Sequence, residues 1–232
     1  MLVARDADRL AATAASLAAA HGRAVTPLPA DLATEAGCAA VAGRLAADPP
    51  VDLLVNNAGI GLAGSLLRND VADECRMLRL NVEAVLRLTL AALPPMVARG
   101  SGAVVNVASV AGFGPMPGTA YPAGKAWVIN FSESAHLQVR AHGVRVMALC
   151  PGFVRTEFHA RAGLGTTGVP DRMWLAADDV VAAGLADLAR GRVVSVPDRR
   201  YRLVTSVMRH APRSLLYRWV SAVGSRRPKR DT

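Results

Sequence analysis

Short unbroken apolar runs alternate along the chain with longer stretches in which apolar residues return every three or four positions. The first kind reads as buried strand and the second as amphipathic helix. Residues 1–4 are such a run, followed by Arg5, Asp6 and Asp8 as turn and helix-start residues and an alanine-rich helix over 7–20. A strand candidate lies within 23–32 and ends at Asp31; a helix follows over 34–47. VDLLVNNAG (51–59) is apolar until it stops at a polar turn closed by glycine. A long helix over 71–99 carries Asn81 in its middle. Pro94 and Pro95 must bend or interrupt it, because neither donates an N–H and each ring crowds the turn before it. GAVVNVASVAG (102–112) is the next strand, then come a helix over 119–141, a strand over 143–154, a helix over 177–189 and a last strand over 191–197.

Continuous apolar strands alternating with helices imply βαβ units, and hence an α/β fold with one parallel sheet covered on both faces. No repeat or low-complexity linker divides it, so residues 1–197 read as a single domain. Ligands of such sheets bind beyond the carboxyl ends of the strands. That rule makes Asp31, Asn56, Gly59, Ser109, Pro151 and Gly152 neighbours despite their separation in sequence.

Composition changes the picture in two places. Cys38, Cys75 and Cys150 are widely spaced, which fits a reducing cytoplasm and argues against a metal site or disulfide frame. No apolar run approaches the ~18–20 residues that span a bilayer. The net charge of +9 is concentrated in residues 198–232, where ten Lys/Arg against two Asp give +8 and leave +1 for the rest. In that extension Leu203, Val207, Ala211, Leu215, Trp219 and Val223 recur at helical spacing, interrupted at Pro212. A basic amphipathic helix pair of this kind lies on a membrane surface, covers a pocket, or packs in an oligomer interface. A solvated basic tail is the plain alternative, and nucleic acid is not expected as a partner.

Tyr121 and Lys125, in YPAGK, are four residues apart and share a helix face. Pro122 suits a first turn, so the helix should start close to Tyr121. A phenol titrates at about 10 and needs ~4 kcal/mol of differential stabilisation to reach neutrality, which a neighbouring ammonium and a cationic cofactor ring would supply. Ser109, at a strand end twelve residues earlier, places a hydroxyl beside them.

NNAG (56–59), LNV (80–82), NVASVAG (106–112), YPAGK (121–125) and PGFVRT (151–156) together, in this order, resemble the short-chain dehydrogenase/reductase family, from near the start to about Pro197. The resemblance implies a Rossmann-like doubly wound sheet and a hydride exchange between NAD(P) and a carbonyl/alcohol pair. It implies Tyr121 as acid/base, Ser109 orienting the substrate oxygen, Lys125 acting on Tyr121 and the nicotinamide ribose, and Asn81 in a local helix distortion. Asn57, Ala58 and Gly59 would pass the adenosine ribose. Asp31 and Leu32 would meet the adenine, with Asp31 as a helix cap the rival reading. Pro151, Gly152, Val154 and Thr156 would grip the nicotinamide side, with Thr156 as a helix cap the rival. Ala4 stands where NAD-type members carry an acid and Arg5 follows it, which favours NADP(H) over NAD(H). Residues 157–176 match a substrate lid. Phe158, Leu164, Met173, Trp174 and Leu175, with Phe113 and Met116 opposite, would line a pocket for a small hydrophobic ketone or aldehyde, or merely pack the lid. Glycines 163, 165 and 168 suit a hinge there. A homodimer or homotetramer is expected. The family's first strand and its T-G-x-x-x-G-x-G turn are not found in this sequence, and the resemblance places them, as one βα unit, ahead of Met1.

Overall fold

Every strand ladder among the described residues, 1–165 and 169–218 of this computed structural model, is parallel. β3 (Leu53–Asn56), β4 (Gly102–Val107), β5 (Val144–Leu149) and β8 (Val194–Ser195) form a four-stranded sheet in that order. β1 (Leu2–Ala4) pairs only with β2 (Pro27–Pro29), and β6 (Phe153–Val154) with β7 (Trp174–Leu175). The strand expected within 23–32 shrinks to three residues, because a proline at each end removes a ladder donor. The 143–154 run divides at Pro151 for the same reason.

The apolar runs are continuous because the strands are covered on both sides. Val104, Val144 and Val146 face α2 (Glu35–Ala46), α4 (Ala84–Arg99) and α5 (Tyr121–Val139) through Val41, Leu45, Leu88, Ala92, Met96 and Val139. Val3, Leu28 and Leu54 join the same cluster, so β1–β2 and the larger sheet share one helical layer. On the opposite face Val105, Met147 and Leu149 meet Val180 and Leu188 of α7 (Ala177–Ala189). β1 and β3 each keep one edge without a ladder partner among the described residues. Beside that edge Leu53 and Val55 remain 39% and 49% exposed.

Side-chain caps start the helices where polar residues precede them. Asp6 caps α1 (Ala7–His21) by accepting from the Arg9 amide, and Thr34 caps α2 by accepting from Gly37. Asp31 is therefore not the cap of α2. The 71–99 helix is irregular at Asn81 rather than at its prolines. α3 (Val71–Leu78) passes through a π-helical turn at Arg79–Glu83 into α4, which runs through Pro94 and Pro95. The carbonyl that Pro94 leaves without a donor belongs to Leu90, an exposed residue that water can serve. Joined this way, Val71–Arg99 is long and apolar enough, by length and composition, to cross a membrane. This corrects the expectation that no such segment exists. Here it buries Met77, Val85, Leu88, Ala92 and Met96 as a core helix. Beyond the sheet, α6 (Phe158–Arg161) belongs to the lid segment, and α8 (Arg199–His210), capped by Asp198, follows β8. Gly168, Trp219 and Val223 lie outside the described residues.

Candidate active site

The start of α5 is held from three sides. Pro122 occupies its first turn, the Tyr121 amide donates to Thr119 Oγ1 at 3.2 Å, and the Ala120 amide donates to Glu74 Oε2 of α3 at 3.0 Å. The strand end carrying Ser109 reaches this helix because residue 112 is glycine. A Cβ there would lie 2.7 Å from the Lys125 carbonyl carbon, closer than packed atoms come. The turn of Val110–Phe113 thus rests on the α5 backbone, and the Ser109 hydroxyl, which accepts from the Ala111 amide at 3.1 Å, lies beside the Tyr121 phenol.

Lys125 is 5% exposed and donates from Nζ to the Val107 carbonyl at 2.7 Å. Its ammonium lies over the Tyr121 ring, 5.6 Å from the centroid. Asn81, buried in the π turn, clasps Ile60 on both sides. Its Oδ1 accepts from the Ile60 amide at 2.9 Å and its Nδ2 donates to the Ile60 carbonyl at 2.8 Å. The turn after β3 is thereby held against the lysine, and a methyl at Gly59 would lie 3.8 Å from Nζ. Behind it Asn56 donates to Asn106 at 2.8 Å, and Asn106 to Ser132 at 3.0 Å, a buried polar chain that joins β3, β4 and α5.

Burial pushes the Tyr121 phenol up to about 12, against the pull of the neighbouring Ser109 hydroxyl, which lowers it. Burial pushes Lys125 down to about 8. The expected lowering of the phenol by the ammonium is not what this arrangement produces. The ammonium meets the ring face and spends its hydrogen bond on Val107, so loss of water dominates for both groups. A phenol in this state is protonated throughout the neutral range and is poised to give a proton rather than take one. The Cys150 thiol is likewise pushed up to about 12 by burial and stays neutral.

The other expected residues fall into three groups. Near the carboxyl end of β2, Asp31 accepts from the Ala33 amide at 3.0 Å and from Arg76 of α3 at 2.9 Å, and both contacts hold its carboxyl below the usual range. The Leu32 carbonyl accepts from Cys38 Sγ, while Arg5, Asn57 and Ala58 are exposed. After β5, the Pro151 carbonyl accepts from the Val110 amide, which ties this loop to the Ser109 turn. Gly152 lies directly under the Tyr201 ring of α8, with no room for a Cβ. Val154 is in β6, and Thr156 Oγ1 accepts from the Phe158 amide at 3.3 Å, while the residue at the N-cap of α6 is Glu157. In the lid, the Phe158 ring stands 6.0 Å from that of Tyr121. Phe113 lies in the Ser109 turn and Met116 is exposed beyond it. Trp174 packs instead on Phe153, His159 and Arg155, away from Tyr121 and Ser109 in the contacts it makes.

Arg76 and Tyr201 were not among the expected residues. Neither belongs to a motif, and only three-dimensional packing brings Arg76 to Asp31 or Tyr201 to the 151–156 loop.

Known proteins are similar to this chain in sequence and in fold. A family profile described as short chain dehydrogenase matches residues 1–165. Sulfoacetaldehyde reductase 2 of Chromohalobacter salexigens is 36% identical over 135 residues, 57% of this chain and 54% of that protein. The chain thus spans about half the length of the curated relatives it matches. A short-chain dehydrogenase from Sphingobium yanoikuyae, solved in complex with NADPH, superposes with a TM-score of 0.81 at 35% identity, covering 97% of this chain and 82% of that one. One from Burkholderia phymatum, solved with NAD, has a TM-score of 0.76 at 27% identity over 89% and 82% of the two chains. On its motifs, its parallel sheet and a profile that covers most of its length, the chain belongs to the short chain dehydrogenase family.

Proposed function

We propose that this chain carries the catalytic rim of an NAD(P)-dependent oxidoreductase that reduces a small hydrophobic ketone or aldehyde to its alcohol. The observation that carries this reading is a protonated phenol beside the Ser109 hydroxyl, with a buried ammonium over its ring, at the carboxyl ends of a parallel sheet. The bound nicotinamide cofactor would supply the hydride. Tyr121 gives its hydroxyl proton to the substrate oxygen as charge develops there. The Ser109 hydroxyl orients that oxygen. Lys125 spends one of its three N–H donors on Val107, and two remain for ribose hydroxyls, which is why the group fits here. Asn81 acts through Ile60 by holding the turn of Asn57, Ala58 and Gly59. Phe158 beside Tyr121, with Phe113 and Met116, makes the approach apolar.

NADP(H) is preferred on this reading. Asp6 is engaged as the α1 cap, which leaves the exposed Arg5 guanidinium to meet a ribose 2′-phosphate. Arg5→Ala should raise the NADPH KM by about tenfold to a hundredfold, the worth of a charge-assisted contact, and leave the NADH KM unchanged. Steady-state kinetics with both cofactors checks this; equal effects on the two would sink the assignment.

Between the two cofactor ends the described residues offer no glycine turn at a helix N-terminus to receive a pyrophosphate. We propose that a further strand–turn–helix unit seats between β1 and β3, where both edges are unpaired and Leu53 and Val55 are exposed. NADPH fluorescence titration should then show binding at least about tenfold tighter for a chain extended upstream by roughly 30–40 residues, the size of one βα unit. Equal affinity of the two chains would refute the added unit. The remaining partners on this reading are further copies of the chain, as a homodimer or homotetramer over the exposed Leu90, Trp127 and Leu137 of α4 and α5, and a membrane surface met from the cytoplasm.

A further inference from the structure

We propose that α8 and the residues after it seat the protein on anionic lipid, and that the same helix holds the cover of the substrate site. The inner face of α8 presents Tyr201, Thr205 and Met208, all buried. The Tyr201 hydroxyl accepts from the Phe153 amide at 3.0 Å and donates to the Met173 carbonyl at 2.7 Å, so one side chain fastens both flanks of the lid segment. Met208 packs on Gly114, and the Arg209 guanidinium lies 4.8 Å above the Phe113 ring while pairing with Glu133 of α5. α8 therefore bears on the lid and on the turn that carries Ser109.

Its outer face is unlike a solvated helix. Leu203 and Val207, one turn apart, are 69% and 55% exposed, and beyond Pro212 Leu215 and Tyr217 are 54% exposed each. Arg199, Arg202, Arg213 and Arg218 are exposed among them. Aliphatic residues interleaved with arginines suit the boundary between acyl chains and headgroups, where apolar area and positive charge both contribute. The charge is placed accordingly, with +8 in residues 198–232 and +1 elsewhere. Each basic residue near an anionic leaflet adds to the attraction, which salt screens. Nucleic acid would use the arginines but has no use for exposed Leu203 and Val207. One consequence rests on the oxidoreductase reading: a ketone or aldehyde dissolved in the bilayer would reach the site past the helix that touches the lipid.

Co-sedimentation of the full chain with vesicles tests the docking without reference to catalysis. Binding to phosphatidylcholine vesicles with roughly 30 mol % phosphatidylglycerol should exceed binding to phosphatidylcholine alone by about tenfold or more. It should fall by at least about fivefold between roughly 0.1 and 0.5 M NaCl. The double variant L203D/V207D should lose about tenfold while its circular dichroism and melting temperature stay parental. Equal partition onto neutral and anionic vesicles, or no partition, overturns the proposal. So does duplex DNA that displaces the vesicles and binds parent and double variant alike. In a second arm, turnover of a long-chain ketone offered in anionic vesicles should fall in L203D/V207D, while turnover of a water-soluble ketone does not. Equal loss or no loss in both overturns the bilayer route alone, and absence of any turnover in the parent counts against the oxidoreductase reading, not the docking.

Discussion

A Tyr121→Phe variant that binds NADPH like its parent is expected to reduce ketones about a thousandfold more slowly, within the range that general acids contribute. Phenylalanine fills the same space, so the lid contact with Phe158 and the start of α5 should survive. What disappears is the phenol proton beside the Ser109 hydroxyl at the sheet rim. Because burial pushes that phenol up to about 12, it carries its proton at every pH where the protein would be assayed. Reduction should therefore show no alkaline limb at the ordinary phenol value. Single-turnover NADPH oxidation, with cofactor affinity and melting temperature measured in parallel, separates loss of chemistry from loss of fold. A variant turning over at the parental rate ends the proton-donor assignment.

Lys125→Met is expected to damage turnover and stabilise the fold at once. A lysine pushed down to about 8 by burial binds its proton less tightly folded than unfolded, where it titrates at about 10.5. At neutral pH both states are protonated, and the folded state bears a penalty of about 3 kcal/mol relative to an unshifted lysine. Between the two values only the unfolded chain holds the proton, so stability rises with pH across that window. Tyr121 acts oppositely: its folded value of about 12 exceeds its unfolded value of about 10, so stability falls as pH climbs between them. Methionine keeps the volume and removes the charge, at the cost of leaving the Val107 carbonyl without its donor. Urea unfolding at pH 7 should give a gain of about 1–2 kcal/mol for Lys125→Met, and the parental rise toward pH 9.5 should vanish. If the variant is less stable at pH 7 and the parent shows no rise, the ammonium is satisfied where it lies and the burial argument fails. Reduction by the parent should decline as pH passes about 8, the value at which the ammonium is lost.

Several elements were legible in the chain because their causes are local. Strands stop at polar or glycine positions, Pro122 sets the start of α5 at Tyr121, and α7 spans the same Ala177–Ala189 that periodicity marks. The rim rule also put Ser109 and Gly59 at one end of the sheet, since parallel strands leave few places for their carboxyl ends, whereas Asn81 came from the family resemblance and Tyr121 with Lys125 from their shared helix face. The resemblance pointed to a distortion at Asn81, but the spacing of apolar residues did not show the π turn. Helical spacing reads the same through one extra residue, and the two prolines drew attention to the wrong end of the helix.

By itself, then, the sequence determined the α/β order and the parallel sheet, because periodicity, caps and turn residues act within a few positions of one another, while the family resemblance named the residues to look for at its rim. Only the tertiary structure decided how those residues stand. The ammonium lies over the phenol ring and bonds to Val107, Asp31 is held by Arg76, and Tyr201 reaches back from α8 to hold the lid. Apart from that of Lys125 with Tyr121 on one helix face, these contacts join segments 18 to 48 positions apart, and the loss of water around them, which sets their charge states, depends on packing that no local pattern contains.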